Sequence, residues 1–154
     1  MNDNITWITR NGVHIPITNK YMNDKIRGKK ETFENIDADT PEEFAKKRKE
    51  YVDKNIKFEN ISKGNYNTLR AILDNKIAGD IRYEVIDGKS NIINVGVSDD
   101  YRRSGVATHL YKKLQSKTPN DDLIISNFTD AGEKLANKIG QVKHKNGKYY
   151  VRIN

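Results

Sequence analysis

One stretch of the sequence, residues 92–110, combines residue types that could bind a phosphate. An apolar run rich in β-branched residues predicts a strand that ends at Val97, and the segment that follows has the spacing of a helix. Between the two lies the pattern Arg102-x-x-Gly105-x-Ala107. The first N–H groups of a helix have no partner within it, glycine allows a close approach, and arginine binds phosphate oxygens. The stretch therefore predicts a phosphate site where the strand passes into the helix.

The elements around this pattern decide between two interpretations. The three fixed positions alone would also fit a strand, a turn and a surface helix with both arginines in solvent. However, the pattern follows a predicted strand and opens a predicted helix, and a further apolar run at 122–126 comes after that helix. A strand–helix–strand unit places a phosphate at this end of the strand, which favours the binding site.

These residues resemble the signature of the GNAT family of N-acetyltransferases. In that family a strand ending in valine leads through a short acidic turn with an aromatic residue into Arg/Gln-x-x-Gly-x-Gly/Ala. Val97, the turn at 99–101 and the Arg102 pattern fit it. The resemblance covers residues 55–154 and implies a GNAT-like acyl-CoA N-acyltransferase fold. This is an α+β fold with a mixed, mostly antiparallel central sheet, splayed at the cofactor strand and flanked by helices.

The resemblance also implies that acetyl-CoA binds in this stretch. Its pantetheine arm would lie beside Gly96, which we interpret as a bulge or a close approach of the backbone; a simple strand irregularity is the alternative. Backbone groups of Val95 and Val97 would bond the arm, as a sheet edge bonds an added strand. The pyrophosphate would be held chiefly by backbone N–H groups of the turn and the first helical turn. The predicted cofactor-binding residues are Val95, Gly96, Val97, Arg102, Arg103, Ser104, Gly105, Val106, Ala107 and Thr108.

The catalytic residues are less well defined by the resemblance. In the family a tyrosine in the last helix often protonates the thiolate, but the matching position here is Ala136. Some members place a glutamate base near the start of the motif strand, where this sequence has Asn91. Neither side chain can exchange a proton at neutral pH. Glu84, on the preceding predicted strand, is the candidate general base, with a solvated strand residue as the alternative.

Composition limits the remaining functions. The 154 residues predict a single GNAT-like domain, 1–154, in which 1–54 form an atypical N-terminal extension of hairpin, loop and helix. The net charge of +7 suits a polyanionic cofactor, and no nucleic-acid reader motif accompanies it. There is no cysteine, and three scattered histidines predict no metal site. We find neither a signal peptide nor an apolar run long enough for a membrane span, and expect a cytoplasmic protein.

The local signals predict the order of the elements. Asn-Gly pairs mark two hairpins, Thr40-Pro41 begins a helix, and residues 19–39 are expected to form a loop. Short turns and alternating side chains predict an antiparallel meander of four strands before the motif helix. The predicted strands and helices are 5–17 (hairpin), 41–54 (helix), 55–61, 66–73, 77–86, 91–97, the motif helix, 122–126 and 141–153 (hairpin).

The N-terminal residues 5–17 resemble a segment found in phage head-morphogenesis proteins and hint at a phage source. Taken together, the sequence predicts an acetyl-CoA-dependent N-acetyltransferase that acts on a primary amine of a protein or a small molecule. The alternatives are a CoA-binding relative with little or no activity, and a phage-associated binding or inhibitor protein. The sequence leaves the acceptor and the oligomeric state open.

Overall fold

The computed structural model describes residues 31–154 and, before them, only the backbones of two strands. These strands, β1 (Thr6–Arg10) and β2 (Val13–Ile17), pair antiparallel, which confirms the pairing of the predicted hairpin. The Asn11-Gly12 turn and most of the predicted loop at 19–39 lie outside the described residues.

The chain divides into two compact units, Met1–Asn55 and Ile56–Asn154. The first contains helix α1 (Pro41–Asn55), which begins and ends close to the predicted bounds. It begins there because the Thr40 hydroxyl oxygen accepts a hydrogen bond of 3.1 Å from the backbone N–H of Glu43. Within the predicted loop the structure has a short 3-10 turn, Phe33–Asn35. That all 154 residues form one domain stays a prediction.

The second unit contains seven strands and two helices. They are β3 (Lys57–Lys63), β4 (Tyr66–Leu73), β5 (Lys76–Ile86), β6 (Lys89–Val97), α2 (Val106–Lys117), β7 (Leu123–Ile125), α3 (Asp130–Ile139), β8 (Gly140–Lys145) and β9 (Lys148–Ile153). The strands form one mixed sheet with the order β3-β4-β5-β6-β7-β9-β8, in which all neighbours are antiparallel except β6 and β7, which run parallel.

Tight turns set the register of the meander. The β4–β5 turn places Asp74 and Asn75 at φ of 51° and 63°, and the β8–β9 turn places Asn146 and Gly147 at 53° and 76°. A two-residue turn in which both residues have a positive φ matches the twist of antiparallel strands, and Asn, Asp and Gly adopt a positive φ most readily. This is why the hairpins could be read from the sequence.

Helix α2 packs on one face of this sheet and supplies much of its core. Leu110 and Leu114 of the helix are fully buried, as are Leu69 and Ile81 on β4 and β5. Gly79 on β5 lies where the helix begins, since a Cβ there would come within 3.3 Å of a Val106 methyl group. The first turn of α2 is therefore held against the sheet beside the end of β6.

Two kinds of feature do not occur in the described part of the chain. None of its helices combines the length and apolarity that a membrane crossing requires. Nor do histidine and carboxylate side chains cluster there in a group that could hold a metal ion.

Candidate cofactor site

The sheet opens between β6 and β7. These strands pair only at Asn91 with Ile124 and at Ile92 with Ile125. Strand β6 continues to Val97, whereas β7 ends at Ile125. Residues 93–97 therefore have no β7 partner in the described structure, and the predicted splay of the sheet is confirmed at this place.

The free edge of β6 presents backbone groups of two predicted residues. The backbone N–H of Ser98 donates a hydrogen bond of 2.8 Å to the carbonyl oxygen of Ala78, so the backbone polar groups of Ser98 point toward β5. Backbone direction alternates along an antiparallel strand, and the register from Val97 back to Asn94 is regular. The N–H and C=O groups of Val95 and Val97 consequently point into the gap, as expected for groups that bond an added strand.

The bulge in β6 lies at Ile93 and not at Gly96, where the sequence placed it. Arg82 pairs with Asn94, but Tyr83 pairs with Ile92, which leaves Ile93 as the additional residue. A bulge bends its strand, and this one lies just past the last residue that pairs with β7. At Gly96 itself a Cβ would meet only one atom, an Asp80 carboxylate oxygen at 3.8 Å. The interpretation of Gly96 as a bulge was therefore wrong in position, because the additional residue is Ile93.

The close backbone approach is instead at Gly79, across from Val97 on β5. A Cβ at Gly79 would lie 2.7 Å from the carbonyl oxygen of Gly96 and 3.2 Å from the Cα of Val97. The first distance is too short for a Cβ, and the second would require a small shift of the backbone. This glycine lets the two strands and the start of α2 meet.

Buried side chains fix the turn that joins β6 to α2. Tyr101 is 5 % exposed, and the hydroxyl of the fully buried Ser104 donates to the Tyr101 carbonyl oxygen. Arg103 and Gly105 adopt positive φ angles of 59° and 90°. Such left-handed residues turn successive N–H groups toward a common point, which is the geometry of an anion-binding loop. The Ser104 side chain is thus used inside the protein, and only its backbone remains for a ligand.

The N-terminus of α2 is an unsatisfied positive end. Within the described chain, the backbone N–H groups of Val106, Ala107 and Thr108 find no acceptor. The first turn of α2 contains no acidic residue, whereas α1 and α3 each have two acids there. Since carboxylates at this position stabilise a helix, their omission from α2 leaves its free N–H groups and dipole available to an anion.

Two arginines add positive charge beside this helix end. Arg102 makes an ion pair of 3.1 Å with Asp99, and both side chains are largely exposed. An exposed pair of this kind contributes little and can rearrange. Arg103 is also exposed. Both guanidinium groups are therefore accessible to a phosphate that binds at the turn.

A cavity of about 250 Å³ occupies the gap between β6 and β7 and extends to the two helices. Its walls are mostly apolar, with few polar side chains, which suits a long, uncharged arm. Of the predicted cofactor residues, Val95, Val97 and Ala107 line it, while the turn from Arg102 to Val106 and Thr108 lie beside the helix end. The lining residues are Ile92, Ile93, Asn94, Val95, Val97, Ala107, Tyr111, Ile125, Asn127, Phe128, Thr129, Ala131, Gly132 and Leu135.

Tyr111 is one of the lining residues that the sequence analysis did not predict for the site. It lies one helical turn after Ala107, so both side chains face the cavity. The residue is only 3 % exposed, and burial raises the pKa of its phenol to about 12. The spacing from Ala107 is the signal that could have placed it in the site.

The predicted catalytic residue is not part of this cavity. Glu84 lies on β5 between Tyr66 and Asn91, and it points to the face opposite to Gly79 and α2 because side chains alternate along the strand. Ala136 is fully buried and does not line the cavity either. The structure brings the predicted cofactor residues together but does not bring Glu84 to them, and its role stays a prediction.

Comparisons with known proteins agree with this geometry. Residues 30–133 match the family model of the Acetyltransferase (GNAT) family. Because the match covers more than half of the chain, the protein belongs to the GNAT family and is an acetyltransferase. No match to the sequence was found among curated proteins.

Solved structures of family members are similar to this chain at low sequence identity. A GNAT family acetyltransferase from Elizabethkingia anophelis with acetyl-CoA bound is 16 % identical, with a TM-score of 0.51 over 65 % of this chain and 99 % of the other. A putative streptothricin acetyltransferase from Bacillus anthracis in complex with acetyl coenzyme A is 19 % identical, with a TM-score of 0.48 over 61 % and 67 %. The ribosomal-protein-S18-alanine N-acetyltransferase from Escherichia coli is 16 % identical, with a TM-score of 0.45 over 58 % and 68 %. The first of these likenesses supports the GNAT fold.

Proposed function

We propose that this protein binds acetyl-CoA between β6 and β7 and transfers its acetyl group to a primary amine of a protein or a small molecule. The observation that carries the proposal is the free edge of β6 running directly to the unsatisfied N-terminus of α2. One part offers hydrogen bonds to amides and the other offers them to phosphates. A ligand with an amide-containing arm attached to a pyrophosphate fits both.

The residues present fit such a cofactor. The N–H groups of the turn and of the first turn of α2 would hold the pyrophosphate, with Arg102 and Arg103 beside them. Val95 and Val97 would bond the amides of the arm, and the apolar cavity would enclose it and exclude water. The bound cofactor supplies an acetyl group activated as a thioester. The chain contributes chiefly by holding this group and an amine in line, which supplies a large part of the rate acceleration in such reactions.

Substitution of Ala107 tests the binding site. Ala107→Leu keeps a good helix former but extends the side chain into the cavity, and we expect acetyl-CoA binding measured by calorimetry to be lost. Lys112→Leu places the same side chain on the exposed face of α2 and serves as the matched control. Unchanged affinity of Ala107→Leu would show that the arm lies elsewhere. Gly105 is less suitable for such a test, since at φ of 90° any side chain strains the backbone.

Glu84 is the proposed general base that removes a proton from the attacking amine. Glu84→Gln should lower kcat and change the pH–rate profile. Glu59→Gln is the matched control, because the cross-strand pairs of Glu59 place it on the same sheet face as Glu84, two strands away. A pH–rate profile that is the same for Glu84→Gln and the wild type would reject this role.

A second candidate function is that of a cofactor-binding relative with little or no transferase activity. It is favoured by Ala136, a buried methyl group at the position of the family's proton donor, and by the position of Glu84 outside the cavity. Turnover of acetyl-CoA with a panel of amines and cell lysates separates the two candidates, since both should bind the cofactor. If acetyl-CoA does not bind at all, a binding or inhibitor function remains. The phage source hinted at by residues 5–17 stays a prediction.

A further inference from the structure

Tyr111 is a buried residue whose hydroxyl has no hydrogen-bond partner among the residues that the structure describes. None of the hydrogen bonds of the described residues involves it, and burial alone accounts for the raised pKa of its phenol. Among the side-chain nitrogen and oxygen atoms of the described residues, the Thr118 hydroxyl is the only one that has neither a hydrogen-bond partner nor accessible surface. Because the Tyr111 oxygen also has no partner, it must retain some accessible surface. Since Tyr111 lines the cavity, we infer that its hydroxyl opens into this cavity.

The other polar side chains around the cavity are placed differently. Asn94 and Asn127 are exposed to solvent. The Thr129 hydroxyl already accepts a hydrogen bond of 3.0 Å from the N–H of Gly132, as the cap of α3. Among the polar side chains of this lining, Tyr111 is thus the one that is both buried and without a hydrogen-bond partner in the described residues. A polar group in such surroundings is unfavourable unless something bonds to it.

The protonation state of Tyr111 specifies what that partner must be. With a pKa of about 12 the phenol keeps its proton at neutral pH, so it can donate a hydrogen bond. The complementary group is an uncharged hydrogen-bond acceptor that can enter a mostly apolar cavity. A carbonyl oxygen fits this description.

We propose that the Tyr111 hydroxyl donates a hydrogen bond to a carbonyl oxygen of the acylated pantetheine arm. This deepens the proposed function and rests on it. The arm offers amide carbonyls and, at its acylated end, the thioester carbonyl. Tyr111 lies six residues beyond Gly105, about 9 Å along α2 from the expected pyrophosphate position. Its hydroxyl therefore serves the arm and not the phosphates.

The test compares Tyr111→Phe with Tyr83→Phe. Tyr83 is a matched control because it is also a buried phenol of this unit, 4 % exposed, but its hydroxyl donates to the Asn60 side-chain oxygen at 2.8 Å. Without ligand, Tyr83→Phe should lower Tm because a satisfied hydrogen bond is lost. Tyr111→Phe should leave Tm unchanged or raise it, because an unpartnered polar group is removed.

Binding should show the opposite pattern. By calorimetry on the full chain, Tyr111→Phe should bind acetyl-CoA about 3- to 10-fold more weakly than the wild type, as for the loss of one neutral hydrogen bond. Tyr83→Phe should bind it with unchanged affinity. CoA, which lacks the thioester carbonyl, identifies the acceptor. A loss for acetyl-CoA alone assigns the bond to the thioester, and an equal loss for both ligands assigns it to an amide.

Two other results would overturn the proposal, and a third would overturn the proposed function on which it rests. If Tyr111→Phe binds both ligands within about twofold of the wild type, the hydroxyl makes no such bond, although the cofactor site stands. If Tyr111→Phe loses as much Tm as Tyr83→Phe, its hydroxyl is satisfied by the protein, which contradicts the premise. If the wild-type protein binds neither ligand, the proposed function itself fails.

Discussion

An acidic residue introduced in the first turn of α2 should stabilise the protein and weaken its binding of acetyl-CoA. We choose Thr108→Glu, because position 108 has a free backbone N–H but its side chain does not line the cavity. In the wild-type protein the first turn of α2 contains no acidic residue. A glutamate there would complement the helix dipole by about 0.3–1 kcal/mol, which corresponds to a rise in Tm of about 1–4 °C. The same charge would repel the pyrophosphate.

The size of the repulsion follows from the separation of the charges. At about 6 Å and an effective dielectric constant of about 40–80, two phosphate charges disfavour an added carboxylate by about 1.4–2.8 kcal/mol. This predicts a loss of affinity of about 10- to 100-fold. The loss should shrink as salt is added, because the charges lie at the solvent-exposed end of the site.

Two variants separate charge from shape and from position. Thr108→Gln has the shape of the glutamate variant without its charge, and it should bind acetyl-CoA much more tightly than Thr108→Glu does. Ser116→Glu adds the same charge near the other end of α2, about 12 Å further along the helix and beyond the screening length at physiological salt. It should lower Tm slightly, because an acid is unfavourable at a helix C-terminus, and leave affinity unchanged.

Calorimetric titration with acetyl-CoA and thermal unfolding of the unliganded protein measure the two effects. Equal affinities of Thr108→Glu and Thr108→Gln at low salt would refute the reasoning, since no anion could then lie at this helix end. A fall in Tm for Thr108→Glu would equally show that the first turn is already neutralised.

Two further predictions concern the stability of the fold. Gly79→Ala should lower the free energy of unfolding by about 1–3 kcal/mol in urea, because its Cβ would lie 2.7 Å from the carbonyl oxygen of Gly96. Gly96→Ala should be tolerated within about 1 kcal/mol, since only one atom would lie within 4 Å, and equal losses would contradict the assignment. At high pH, stability should fall from about pH 10, where an unfolded tyrosine ionises, to about pH 12, where Tyr111 ionises in the folded protein. The loss amounts to about 2–3 kcal/mol, and it should be absent from Tyr111→Phe if the burial of this phenol is its cause.

Much of the fold could be predicted because its signals are local. Strand β4 begins and ends at the predicted residues, and the Asn146-Gly147 hairpin forms where an Asn-Gly turn requires it. The cap at Thr40 likewise sets the start of α1. In each case a few neighbouring residues determine the backbone conformation, so no knowledge of distant contacts is needed.

The site was predicted where backbone groups form it and missed where packing decides. The splay beside Val95 was expected from the resemblance to the family, and the free helix end follows from a short sequence pattern. The bulge at Ile93 depends on how β6 pairs with β5, and no residue type in the sequence marks such a shift. Tyr111 has the periodicity of a core residue, and only the packed helices show that it lines an open cavity. Ser104 was predicted to contribute through its backbone, and that its side chain supports the turn from inside could not be read from the sequence.

In the described part of the chain, two residue pairs between β6 and β7 are the only strand pairs that join β3–β6 to β7–β9. With so short a junction, each half of the sheet can open while the other remains paired, and amide hydrogens on the two sides should exchange with solvent at different rates. A molecule that fills the gap would extend this junction. We therefore expect the presence of acetyl-CoA to slow exchange in β7 and also in β9, a strand whose residues do not line the cavity.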